Sequence, residues 1–206
     1  MFGFDGNMIY RIPALLIALT IHEYAHAQAA DSEGDPTPRM LGRLTMNPLA
    51  HIDPIGMLML LFAGFGWAKA VPFNPGNFRN ISSGIKKVAI AGVAANFFVA
   101  FLSLFALLLM SKLGRLSPGV AMFLNLNILY NVWFGVFNLI PLPPLDGSLL
   151  LGEFLSYKAR QTYFKIEAYG TYILMALVFT GVAGMIIKPF AQLIIGSMAS
   201  VLRIFL

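Results

Sequence analysis

The run Ile12–Ile21 is apolar apart from Thr20 and leads without a break into His22-Glu23-Tyr24-Ala25-His26. That junction constrains the fold more than any other stretch. A segment apolar enough for a membrane interior carries two imidazoles and a carboxylate, and ionisable groups at that depth are costly unless they have a task. Histidines at i and i+4 share one helical face, so both can reach a single metal ion. Glu23, one step round from His22, can meet a metal-activated water without being a ligand. The bland alternative is that the two histidines are polar glue between packed helices.

The rest of the chain agrees with a membrane setting. Of its 206 residues, 58% are hydrophobic and 11% charged, whereas soluble domains are about 45–50% apolar and about 25% charged. The expected class is an all-α polytopic membrane protein whose first partner is the lipid bilayer. The net charge of +5 comes without a basic patch interleaved with aromatics, so it reads as loop orientation and not as nucleic-acid binding. With no cysteine, any metal must be held by histidine and carboxylate. Met1–Tyr10 has neither a basic leader nor a small-residue cleavage site, so the first apolar run is expected to be retained as a helix.

Along the chain the pattern predicts five or six transmembrane helices in a single domain, 1–206, with a core of about 8–150 and C-terminal helical segments of about 168–206. The first helix covers roughly 8–30 and carries the histidines. A loop over 31–53, rich in turn formers such as Gly34-Asp35-Pro36, follows. The run 54–67 is short for a spanning helix, which needs about 20 residues, and holds glycines at 56, 64 and 66. Further helices are expected over about 88–110 and 120–140, the latter stopped by Pro141-Leu142-Pro143-Pro144. After a basic stretch, 147–165, a helix over about 168–187 should end at Lys188-Pro189, before a last apolar segment over 190–206.

Asp146 follows the proline-broken end of the fourth helical run. Two histidines lack a third protein ligand for a catalytic zinc, and a carboxylate can complete that set with one position left open. Capping of the next helix is the competing role for a carboxylate in this loop position.

Taken together, these residues resemble a known family. His22-Glu23-Tyr24-Ala25-His26, with Asn138-Leu139-Ile140-Pro141-Leu142-Pro143-Pro144-Leu145-Asp146-Gly147, is similar to the HExxH and NxxPxPxxDG motifs of the site-2 proteases, intramembrane zinc metalloproteases. The family's GPxxN signature is altered here to Gly92-Val93-Ala94-Ala95-Asn96, and Ala70 replaces the first proline of the usual PVP beside Trp67. The resemblance implies one zinc per chain held by His22, His26 and Asp146, with Glu23 as general base and Asn138 as a donor to the oxyanion. It implies hydrolysis of peptide bonds within or near transmembrane segments of protein substrates. The compact form is expected, with no PDZ or CBS domain.

Chemistry also constrains topology. His26 lies near the end of the first helix and Asp146 just past the end of the fourth run, so one zinc can hold both only if those ends face the same side of the membrane. If 54–67 spanned, they would end on opposite sides. A re-entrant segment near 54–75, with a β-hairpin whose edge runs near Trp67–Phe73 as one form of it, resolves the parity; a short or tilted spanning helix is the competing reading. Arg39, Arg43, Lys69, Arg79, Lys86, Lys87, Lys158, Arg160 and Lys165 then share one side against Lys112, Arg115 and Lys188. The positive-inside rule turns the active-site mouth to the cytoplasmic face, as expected in a prokaryotic cell membrane.

Other polar residues carry weaker signals. Asn127, Asn131 and Asn138 form a stripe on one helix, which is either a water path or interhelical glue; Asn96 is either a ligand-orienting group or glue. His51 and Asp53 form a further pair that would be an alternative ligand or support for one. An exposed edge near Val71–Phe73 would bind an unwound substrate by strand addition. The competing function is a non-proteolytic membrane metal-binding protein or divalent-cation transporter, which has no need of a glutamate that is not a ligand.

Overall fold

The computed structural model describes residues 6–63 and 66–205. Among them the regular structure is helical: α1 Met8–Ser32, α2 Thr37–Met40, α3 Pro54–Ala63, α4 Ile81–Lys112, α5 Pro118–Asn138, α6 Asp146–Gly152, α7 Tyr157–Phe164, α8 Glu167–Phe179 and α9 Val182–Phe205. The only β pairing among the described residues is an isolated antiparallel bridge between Ile52 and Ala68. The expected all-α class holds. A β-hairpin does not form over the described part of 54–75, because 54–63 is α3; Gly64 and Phe65 lie outside the described residues.

Among the described residues, three helices are long and apolar enough to cross a membrane: α4, α5 and α9. The five or six expected from sequence would need α1 and α8 as well. α8 has only 13 residues, and α1 carries Arg11 and the His-Glu-His group within its 25. A second expectation is corrected. Helix 168–187 does not run on to a break at Lys188-Pro189. The chain turns at Gly181, whose φ of +77° is open to glycine at little cost, and α9 then continues through Pro189. Proline inside a helix is tolerated where neighbouring helices pack against it.

The core is a bundle of α1, α4 and α5 with α9 against α5. One buried cluster joins Ala100 and Leu104 of α4, Ile128, Val132 and Val136 of α5, and Ala183, Ile187, Ala191 and Leu202 of α9. A second joins Ala30 of α1 to Phe78 and to Ile85 and Val88 of α4. The buried side of α1 has a four-residue rhythm: Ala14, Ala18, His22, His26 and Ala30. Small side chains allow close helix approach, which is how helices gain packing energy in lipid. The imidazoles therefore sit in a close-packed seam between α1 and α4. α4 begins at Ile81, ahead of its apolar run, because the Asn80 side chain accepts a hydrogen bond from Ser83 N at 2.9 Å.

Candidate metal centre

Each of the three ligand candidates is placed by a different local rule. His22 and His26 share the seam of α1. α4 can meet them because residue 92 is glycine: a Cβ there would lie 2.6 Å from both His22 Cε1 and His26 Nε2. Asp146 is the first residue of α6, one past its N-cap Leu145, so it does not occupy the cap position itself. Gly147 permits the approach of that turn to the end of α5, since a Cβ would stand 2.3 Å from Leu139 O. The loop between is braced from the C-terminal side, where Tyr163 Oη donates to Pro141 O at 2.8 Å.

The three residues come together. His22 Nε2 and His26 Nε2 lie 2.9 Å apart, and Asp146 Oδ2 is 3.1 Å from the first and 3.2 Å from the second. Among the described residues this is the one group of three or more such side chains arranged to hold a metal ion.

Hydrogen-bond partners on the far side of each ring fix a proton on both Nδ1 atoms. His26 Nδ1 lies 2.8 Å from Val88 O, a carbonyl that can only accept, so the proton is on Nδ1. His22 Nδ1 lies 2.7 Å from Asn96 Oδ1. That amide's orientation is fixed because its nitrogen donates to Ala18 O and to Asn131 Oδ1, both at 2.9 Å. His22 is therefore also protonated at Nδ1. Both Nε2 atoms then present lone pairs, and the carboxylate oxygen opposite them has no hydrogen-bond partner. With both imidazoles neutral, three acceptors face one point; a second proton on one imidazole, donated to Asp146, or a metal ion would balance them. Left unbalanced, such a cluster repels itself. Tetrahedral zinc with bonds of about 2.0–2.1 Å would set its ligand atoms about 3.3 Å apart, close to the observed triangle. The residues fit zinc.

The asparagine stripe resolves into support for this centre. Asn131 holds Asn96 in place and donates to Asn127 Oδ1 at 3.0 Å; Asn127 donates to Ser103 Oγ at 2.7 Å. The stripe is thus a buried hydrogen-bonded ladder ending on His22. Asn138 stands apart from it and gives one N–H to Phe134 O at 3.0 Å, leaving its second N–H without a partner. His51 and Asp53 do not join the cluster. His51 Nε2 donates to Thr45 O at 2.8 Å, and Asp53 Oδ1 accepts from Gly56 N at 2.7 Å at the start of α3.

Glu23 is buried beside the ligands, and its Oε2 accepts from Val71 N at 2.8 Å. Sequence reasoning missed this contact, as it missed the packing of Gly92. The altered Gly92–Asn96 signature was the available signal for the glycine. No residue type reports a backbone donor such as Val71 N.

A helical scaffold of membrane-crossing hydropathy that gathers two buried imidazoles and a half-buried aspartate around one point has the ligand set of a membrane metalloprotein. The model of peptidase family M50 matches residues 112–181, which include Asn138 and Asp146 but stop short of the α1 histidines. YwhC of Bacillus subtilis, named as a candidate zinc metalloprotease, is 36% identical over 88% of this chain and 85% of its own length. Rip2 of Mycolicibacterium smegmatis, named in the same way, is 29% identical over 86% of this chain and 70% of its own. No solved structure gives a significant match. The chain belongs to peptidase family M50, the site-2 protease family, and so to the zinc metalloproteases.

Proposed function

We propose that the chain is an intramembrane endopeptidase that hydrolyses peptide bonds within or near transmembrane segments of protein substrates, with one zinc held by His22, His26 and Asp146. The observation that carries this reading is the convergence of three acceptors beside a glutamate that is not among them. Bound there, zinc would polarise the scissile carbonyl and acidify a water molecule. Glu23 takes the proton of the attacking water and returns it to the leaving amine. One of its oxygens is fixed by Val71 N and the other has no partner, which leaves an acceptor for that water. The second N–H of Asn138 is the donor offered to the developing oxyanion. A transporter would use the same ligands, but it would give no task to a buried carboxylate poised outside the ligand set.

Re-entry of 54–75 is supported by the bridge between Ile52 and Ala68, since a segment that leaves and returns within 15 residues has its ends at one depth. Gly56 permits the return, because a Cβ there would meet Trp67 O at 2.1 Å. On that topology the basic residues of the loops support a site that opens toward the cytoplasmic face. The test is cleavage of transmembrane peptides in liposomes, read by mass spectrometry. Wild type should cut within the membrane segment and Glu23→Gln should not, with zinc retained in both. Cuts that persist in the variant would overturn the assignment of the base.

A further inference from the structure

Between α3 and α4 an irregular stretch, 66–74, passes Glu23 beside the metal centre with no strand beside it beyond the single bridge at Ala68. It is tied down at a few points. Lys69 N donates to His51 O at 2.9 Å, and Lys69 O accepts from the Arg43 guanidinium. Val71 N donates to Glu23 Oε2. Farther on, Asn74 N donates to Asp35 Oδ2 at 2.6 Å.

Arg43 is unusual among these anchors. Its side chain is buried, no carboxylate pairs with it among the described residues, and its Nε has no partner. A buried guanidinium without a counter-charge is costly, and the one hydrogen bond it makes is to a peptide carbonyl. That carbonyl is close to the chemistry. Peptide units are rigid planes, so only the two soft dihedrals of Ala70 lie between the plane gripped by Arg43 and the plane whose N–H meets Glu23. Pro72 then restricts Val71 to extended backbone. With α1 locked in its seam, the direction of the Val71 N–H decides which Glu23 oxygen is held and which is left for water.

We infer that Arg43 is a positioning residue of the catalytic base: by gripping Lys69 O it aims the Val71 amide that orients the Glu23 carboxylate. The inference rests on the reading of Glu23 as base, but its first readout does not require turnover. In the full-length, zinc-loaded protein, the Val71 amide should be slow to exchange with deuterium. It should exchange faster in Arg43→Gln, and zinc per chain should not change. Arg43→Lys, which keeps one donor, should restore much of the protection. A 1 Å misplacement can cost about 100-fold in rate, so kcat of Arg43→Gln should fall by about tenfold or more while KM stays within about twofold. Glu23→Gln gives a measurement independent of how the Arg43 variants fold: it should shift the Val71 amide resonance and leave zinc bound.

The inference is overturned if Val71 exchanges alike in wild type and Arg43→Gln, or if its resonance ignores Glu23→Gln. It is also overturned if kcat and KM of Arg43→Gln match wild type, or if that variant loses zinc and fold together. A wild type that cuts no peptide while the Val71 amide still responds would instead sink the peptidase reading.

Discussion

Two carboxylates in this molecule, Asp35 buried and Asp146 half-buried, live in opposite circumstances. Asp35 accepts from Thr37 N, Thr37 Oγ1 and Asn77 Nδ2 at one oxygen and from Asn74 N at the other. Asp146 Oδ2 faces only the Nε2 atoms of His22 and His26, and neutral imidazoles protonated at Nδ1 offer it no donor. The first cluster closes on itself and holds a loop. The second is left open, and an open polar cluster in a buried place persists where something outside the chain completes it. The difference between structure and function here lies in whether the donors and acceptors balance, more than in the residue types.

The sharpest way to break the comparison is at the open cluster. Asp146→Ala should abolish zinc retention and cleavage together. Glu23→Gln should lower turnover by about 10²–10⁴-fold with zinc in place, the usual worth of a general base. Metal content and peptide cleavage measured on the same samples check both. Groups that aim the ligands come next. Asn96→Ala frees His22 Nδ1 and should weaken zinc affinity by about 10–100-fold, measured by competition with a chelator. Gly92→Ala should do at least as much, because its Cβ would collide with both imidazoles.

The smallest effects belong to the closed cluster. Asp35→Asn puts an amide nitrogen among four donors, and should cost about 2 kcal/mol of stability without touching zinc content. Burial pushes the Asp35 carboxyl up, but the hydrogen bonds from Thr37, Asn77 and Asn74 outweigh it and hold the group below the usual carboxylate range. Its stabilising contribution is therefore complete above the ordinary value of about 3.9 and is lost as pH falls through the lower folded value. Denaturation series in detergent at descending pH should show the gap between wild type and Asp35→Asn narrowing in the acid range.

What the sequence disclosed follows the same division. Ligand candidates could be read because histidine and aspartate in an apolar chain are rare and their spacing has a geometric meaning. The helix containing the histidines could be read from hydropathy, and the end of α5 from the prolines after Ile140; α6, which begins at Asp146, lay in what the sequence offered only as a basic stretch. The break at Gly181 was misplaced to Lys188-Pro189, because proline stops a helix in water more reliably than in a packed membrane bundle. The role of the Asn127 and Asn131 stripe needed the packing of α4 on α5 before a ladder could be told from a water path. Least legible was the stretch 66–74. Its contacts with Glu23, His51 and Asp35 run through backbone amides, which every residue but proline carries, so no side-chain pattern announces them.

The measurement that bears most directly on the open cluster is zinc K-edge X-ray absorption of the purified protein, alongside Asp146→Ala and Asp35→Asn. The expected spectrum for wild type and Asp35→Asn is one zinc per chain with two imidazoles and a carboxylate in its first shell. Asp146→Ala should hold little or no zinc. A zinc shell without imidazole, or one indifferent to Asp146→Ala, would contradict the assignment of these three residues.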